Sequence, residues 1–469
     1  MFVNWTSFIN NKYRFSNSGQ AVVILDGVTY HITLGTHQYP NSIHYYDNKN
    51  ENLDNILIDN KRYSDFLNIN NGYAISSFDI NNDGYEEILT THNKFNKEII
   101  TLYYYNKTQN KWRSKTIQNP NASSNTSITV VPNGFLIGNS SAKPYLMRLD
   151  NNGGLIADTN FVSVNSKDVR FNTRSIVNFK GLIKGIDGFV LNGENKRVLA
   201  KDTYKQYYFN FNNDKMVIKP WIDTALSNTT SVCFVNINPN KEIYGYVFGN
   251  WGGESYLYMF KRGIFLKKHT FTSSYCTCVI AADFDNDGKD EILFVNGYLY
   301  NTLYRVHDEN NIEQIQVGQA YNDVHFKPKS VFYMLSAAVM DLDKDGFLEV
   351  YTTGGEIISS GNNWFKVGEI NRTSMGGLNR YLRISPLNSS GSSHRGAVVK
   401  AKYNGKVYKR IIDNGGNGMS QSEPVAHFGL GDYSGLVDIT IKWRDGTKQH
   451  IRGVEGNKLL TLVHNQSTV

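Results

Sequence analysis

Cysteine is nearly missing from this chain: 3 in 469 residues, at Cys233, Cys276 and Cys278. An odd, sparse set gives no disulfide framework, and Cys276 and Cys278 lie too close along an extended strand to bridge easily. They read as small buried hydrophobes. No CxxC pair suggests zinc, and HExxH, GxSxG and Walker patterns are all lacking, which removes the motif-borne metalloproteases, serine hydrolases and nucleotide triphosphatases. Proline is scarce, with 9 residues, and no apolar run approaches the roughly 18 needed to span a membrane. The opening MFVNWTSFINNKYRF has no basic segment followed by an apolar run, so no signal peptide is expected there.

What the chain has instead is aromatic residues and glycine. It holds 30 Tyr, 25 Phe and 40 Gly, the glycines spread rather than clustered. That bias favours strands over helices and argues against a disordered, linker-rich protein. The length suits two or three domains, or fewer if they are large all-β units.

One pattern occurs three times: SSFDINNDGYEEILTT, AADFDNDGKDEILFV and AVMDLDKDGFLEVYTT. Each loop offers oxygen ligands at positions 1, 3 and 5, a glycine at 6 and a carboxylate at 9. The residues are Asp79, Asn81, Asp83, Gly84 and Glu87; Asp283, Asp285, Asp287, Gly288 and Glu291; and Asp341, Asp343, Asp345, Gly346 and Glu349. A hard cation such as calcium takes about six to eight oxygens, carboxylates and a backbone carbonyl among them. The glycine permits the left-handed turn that brings position 7 back, so the carbonyls of Tyr85, Lys289 and Phe347 complete the expected Ca²⁺ set. An EF-hand is excluded, because position 12 holds Thr90, Phe294 and Thr352 instead of glutamate. Its helices are missing too, since the flanking apolar runs read as short buried strands. The loop at Asp79, with a neutral Asn81, is expected to bind most weakly.

Spacing extends the pattern. Asp79 and Asp283 are 204 residues apart and Asp283 and Asp341 are 58, consistent with repeats of roughly 50 residues. Degenerate copies fill the gaps: TSVCFVNINPNKEIYGYVFGN keeps Asn236, Asn238 and Asn240 without charge, and further starts fall near 26, 130 and 178. Seven four-stranded units closing into a ring would remove most exposed sheet edges. The loops resemble the FG-GAP/VCBS repeats of the integrin α-subunit propeller and its relatives, over roughly Gly19 to Ile370. The resemblance implies calcium on the blade loops, a ligand surface on one rim of the disc, and no enzyme.

From Asn371 the pattern changes. VVKAKYNGKVYKRII and VDITIKWRDGTKQHI are alternating runs around Asn404-Gly405 and Asp445-Gly446, which are hairpin signals. The expected fold is therefore all-β: a seven-bladed β-propeller over 1–370 and an antiparallel sandwich-like domain over 371–469. The second region resembles the ASPIC/UnbV domain that follows FG-GAP repeats in the cartilage acidic protein family. The positions that carry the resemblance are Asn379, Arg395, Gly396, Ser420, Gln421, His427, Phe428, Gly429, Leu430, Gly431, Trp443 and Gly446. Two departures are a shortened loop after His394-Arg395 and Arg444-Asp445 in place of Pro-Ser.

Charge is unevenly placed. Residues 371–469 hold 14 Lys+Arg against 6 Asp+Glu, while the rest of the chain is close to neutral. This excess, including Lys406, Lys409, Arg410 and Lys442, reads as a solvated face, with an anionic glycan or membrane surface as the alternative. No nucleic-acid motif is present. His427 invites a catalytic reading, with Glu423 and Arg395 as candidate neighbours, but no nucleophile accompanies it and it reads first as a sheet-end residue ordering the FGLG turn. The functional expectation is a calcium-stabilised binding or adhesion protein, extracellular or on the cell surface, recognising a protein or glycan on the propeller face. A lectin is one form of it; an enzyme with its site in the propeller channel is the rival. Aromatic stretches such as YYYNKTQNKW and FGNWGGESYLYMF are blade strands or, alternatively, part of that surface.

Overall fold

The computed structural model describes residues 2–4, 17–25, 28–35, 41–45, 72–94, 97–109, 111–121, 125–164, 171, 173–183, 185–192, 206–212, 215–221, 228–272, 275–297, 301–315, 333–355, 363–367, 379–413, 415, 417 and 419–464. Among them the protein is all-β, and its one helical piece is a 3-10 turn at Pro239–Lys241.

Up to Val367 the strands form a β-propeller. Its sheets open with the strands Asn17–Leu25, Gly72–Phe78, Asn125–Val131, Thr173–Ile183, Thr229–Asn238, Cys276–Ala282 and Tyr333–Met340. Each sheet then meanders outward in antiparallel order, as in Gly72–Phe78, Glu87–Lys94, Lys97–Asn106 and Lys111–Gln118, and the sheet opening at Thr173 adds Val162–Val164 parallel to Lys215–Pro220. The opening strands touch one another in cyclic order, the last against the first, so they line the centre of a ring. The sheet of Tyr333–Met340 takes its outermost strand from the start of the chain, with Val3 opposite Lys366. Pairing the first strand with the last sheet ties the ends of the ring together and covers an edge.

The core lies between neighbouring sheets. Ala74, Leu89 and Ile100 of one sheet pack on Ile128, Val130 and Phe135 of the next. Between the sheets that open at Thr173 and Thr229 the filling is aromatic, with Phe189, Tyr246 and Phe248 in edge-to-face contact. The aromatic stretches of the sequence are strands: Tyr103, Tyr105, Trp112, Phe248, Tyr258 and Phe260 are all buried. All three cysteines are buried and unbridged, and burial raises the thiol pKa of each.

The C-terminal domain is a sandwich of a four-stranded antiparallel sheet and a three-stranded one around Val399, Phe428, Ile439 and Trp443. Asn404 and Gly405 have φ of 46° and 71°, the left-handed pair of a two-residue hairpin turn, as their sequence suggested. One pairing departs from the antiparallel expectation: Arg380–Leu387 runs parallel to Lys458–Val463. Those strands lie far apart in the chain, so no hairpin dictates their direction. The expected domain boundary at 370/371 and the repeat start at Asp26 lie outside the described residues.

Candidate metal loops at the domain seam

Each of the three loops joins the first strand of its sheet to the second, and all three adopt one conformation. Position 4, held by Asn82, Asn286 and Lys344, has φ of 57°, 61° and 63°; the glycine at position 6 has 95°, 83° and 86°. Two left-handed residues in so short a span fold the chain around a centre.

The same hydrogen bonds hold all three. The glycine N–H donates to Oδ2 of position 1: Gly84 to Asp79 at 3.0 Å, Gly288 to Asp283 at 2.9 Å, Gly346 to Asp341 at 3.0 Å. Position 5 donates its N–H to the side chain of position 3, and position 7 to that of position 5. The glutamate at position 9 closes the loop by accepting from the N–H of position 2, at 2.9, 3.0 and 2.7 Å. Repetition to this level makes chance Asx turns an inadequate account.

The carboxylates converge. Asp341, Asp343, Asp345 and Glu349 place one oxygen each within 4.8 Å of one another, as do Asp283, Asp285 and Asp287, so both groups could hold a metal ion. Oδ1 of Asp283 and of Asp341 is buried without a hydrogen-bond partner. A buried carboxylate oxygen left so is costly, and a bound cation removes that cost. Burial, then Glu291 and Asp285, pushes the Asp283 carboxyl well above its ordinary range. Burial also raises Asp341 to about 7 against the opposing pull of Arg383, and raises Glu87 and Glu291.

The loops differ in charge. In the first, the Asn81 amide donates to Glu87 Oε1 at 2.8 Å and Asp83 Oδ2 at 3.2 Å, so part of the ligand set is satisfied internally. In the second, Glu291 turns to Arg305, whose Nε lies 2.9 Å away and whose guanidinium also pairs with Asp285. The uncharged copy at Asn236 has become a structural joint: its loop is the 3-10 turn, and Asn236 bonds to Asp290 at 3.0 Å.

The C-terminal domain sits on all three loops. At the first, Ser392 Oγ and Asn388 Nδ2 donate to Asp79 Oδ2 at 2.6 and 3.1 Å, and Ser390 Oγ donates to the Asn82 carbonyl. At the second, Asn379 Nδ2 donates to the Asp285 carbonyl, the Gly431 N–H to that of Asn286, and His427 Nε2 lies 2.6 Å from Asn286 Oδ1. At the third, Arg383 lies 2.7 Å from Asp341 Oδ2 while also pairing with Glu423, and the Tyr381 ring packs over Gly346. In the first and third loops, then, Oδ2 of position 1 faces the second domain.

Two arginines reinforce the seam one residue before the position-9 glutamates. Arg395, fully buried, pairs with Glu86 at 2.9 Å; Arg410 grips Asp290 at 2.6 and 2.9 Å. These contacts correct the sequence reading. Arg410 belongs to a buried ion pair, not to a solvated face. Arg395 and Glu423 serve Glu86 and Arg383, so neither hydrogen-bonds to His427, which reaches across to Asn286. Lys409 lies over the Tyr244 ring at 3.7 Å, and burial lowers it to about 8.

The stretch from Asp413 to Glu423 enters the ring. Gly415 bridges to Thr129, the Asn417 side chain bonds to Ser231 and the Val279 carbonyl, and Ser420–Gln421 pairs in parallel with Gln20–Ala21. Gln421 also bonds to Ser77, and Ser422 and Glu423 bond to Val339. Six of the seven opening strands are thus touched by one segment of the C-terminal domain.

Residues 388–469 match the ASPIC and UnbV family. The C-terminal domain is therefore similar to ASPIC/UnbV domains over most of its length. The chain is also 30% identical to mouse cartilage acidic protein 1 over 266 residues, 52% of this chain and 38% of that protein. The Xenopus tropicalis protein of that name is 32% identical over 244 residues, 48% of this chain and 35% of its own length. The resemblance to the cartilage acidic protein family therefore holds, although the match spans little more than a third of those relatives. Among solved structures, a lectin from Burkholderia pseudomallei has TM-score 0.39 at 9% identity, covering 75% of this chain and 98% of its own. The extracellular domain of a one-component system from B. thetaiotaomicron has 0.42 at 10%, covering 98% of this chain and 59% of its own.

Proposed function

We propose that the protein is a calcium-stabilised, extracellular-type binding protein in which the loop cations also hold the ASPIC/UnbV domain on the propeller. The observation that carries this reading is the pair of unpartnered buried oxygens, Asp283 Oδ1 and Asp341 Oδ1. They sit in loops built wholly from oxygen donors, the ligand class of calcium. Loops tuned to calcium near 10⁻⁴–10⁻³ M would be filled outside cells and largely empty in cytosol, so this reading expects an extracellular or cell-surface setting. No helix among the described residues is long and apolar enough to cross a membrane.

The partner, a protein or a glycan, meets the rim opposite the C-terminal domain. The ends that carry the first-to-second strand loops are occupied by that domain. The same observation disfavours an enzyme with its site in the channel, since residues between Asp413 and Glu423 bond to the opening strands that line the centre.

Thermal unfolding in roughly 2–5 mM calcium and again in chelator tests the metal. Binding to the native state alone adds about 0.7–2.3 kcal/mol per site for such affinities at that calcium concentration. The midpoint is expected to rise with calcium, and to rise less in Asp285→Ala and Asp343→Ala. An unchanged midpoint with no metal found by elemental analysis would sink the proposal.

A further inference from the structure

A cavity of about 530 Å³ opens beneath the ASPIC/UnbV domain, beside the first loop. It exists because neighbouring sheets differ in their first turn. The sheet opening at Gly72 carries the long loop from Asp79 to Glu86, whereas the next has only Pro132-Asn133 between its first two strands. The C-terminal domain, held up by the long loop, leaves a gap over the short turn. Phe78, Leu146, Leu149 and Phe161 give the gap apolar walls, and Arg148 and Arg444 give it two guanidinium groups.

Arg444 is held in place yet has no acidic partner among the described residues. Its Nη2 donates to the Pro132 carbonyl at 2.8 Å and its guanidinium lies 4.5 Å from the Phe78 ring centre. Burial lowers it to about 10, which leaves it charged at neutral pH. Across the cavity Arg148 meets Asp158 only at 3.7 Å, with its side chain 45% exposed. Two cations and one carboxylate therefore face one volume, which lies within the roughly 300–1,000 Å³ of ordinary ligand pockets. Arginine forks recognise carboxylate and related oxyanions through paired N–H donors, and more strongly where water is excluded.

We infer that this cleft is a binding site for an acidic sugar, its carboxylate or sulfate held between Arg444 and Arg148 and its ring against the apolar wall. The site requires the docked C-terminal domain, so the inference rests on the arrangement proposed above. Isothermal titration of the calcium-loaded full chain would use glucuronic acid, glucose 6-sulfate and glucose as probes. Saturable binding of one or both acidic sugars is expected, with glucose at least tenfold weaker; which acid binds distinguishes the two oxyanions. Arg444→Gln and Arg148→Gln should each weaken it at least tenfold while the calcium-dependent midpoint stays. Arg148 lies outside the domain seam, so its variant tests the cleft even if Arg444→Gln loosens docking. Equal affinity for glucose, no binding of either acid, or full affinity in Arg148→Gln overturns the inference. A retained calcium response in those cases leaves the proposed function standing.

Discussion

Gly429 is where the two domains come closest at the second loop. A methyl group there would sit 2.0 Å from Asp283 Oδ2 and 2.6 Å from the Asn286 Cα. Gly429→Ala should therefore destabilise the folded chain by about 1–3 kcal/mol, the usual range for overpacking, measured by denaturant unfolding in calcium. His394 carries a different kind of test. Burial, then Arg444 and His464, holds its imidazole down to about 3, whereas an unfolded histidine protonates near 6.5. Its folded pKa is depressed, so its contribution to stability is complete above about 6.5 and is lost as pH falls toward 3. The stability difference between the protein and His394→Gln should shrink across that window; a pH-independent difference would contradict the assignment. The loop residues were legible in the sequence because all their ligands lie within nine positions. The pairing of Arg395 was not, since its partner Glu86 is 309 residues away, and a count of charges gives the excess of basic residues without showing what each one faces.

At the scale of elements, the loops and the strands beneath them form one unit. Repeat spacing, apolar runs and turn glycines made the strand–loop–strand pattern readable. The same signals gave no position to the stretch from Asp413 to Glu423, whose described residues bond to the opening strands of the ring. Polar side chains suit that place because the opening strands present hydroxyls and backbone groups there, as at Ser77, Thr129 and Ser231. The Arg395–Glu86 pair allows a further test. Replacing one member of a buried pair typically costs about 3–5 kcal/mol, while replacing both with uncharged groups costs far less. Arg395→Met alone should therefore unfold at lower denaturant than the Arg395→Met, Glu86→Gln double variant, measured as paired unfolding curves. A double variant less stable than the single would show that the pair is not the contact that matters.

At the scale of the whole molecule, a ring, a sandwich and three acidic loops meet along one seam. The order of the parts was legible in the sequence, but their contact was not, because docking depends on residues drawn from both ends of the chain. The candidate cation loops and the docked domain share Asp79 and Asp341, each offering one carboxylate oxygen to the second domain. Removing the cation should then loosen the seam as well as the loops. Hydrogen exchange of the intact chain, in calcium and in chelator, tests this claim most directly. Chelation is predicted to speed exchange in the three loops and, together with them, in the facing stretches around Ser390, Gln421 and Gly431. Faster exchange in the loops alone, or no change in either, would contradict it.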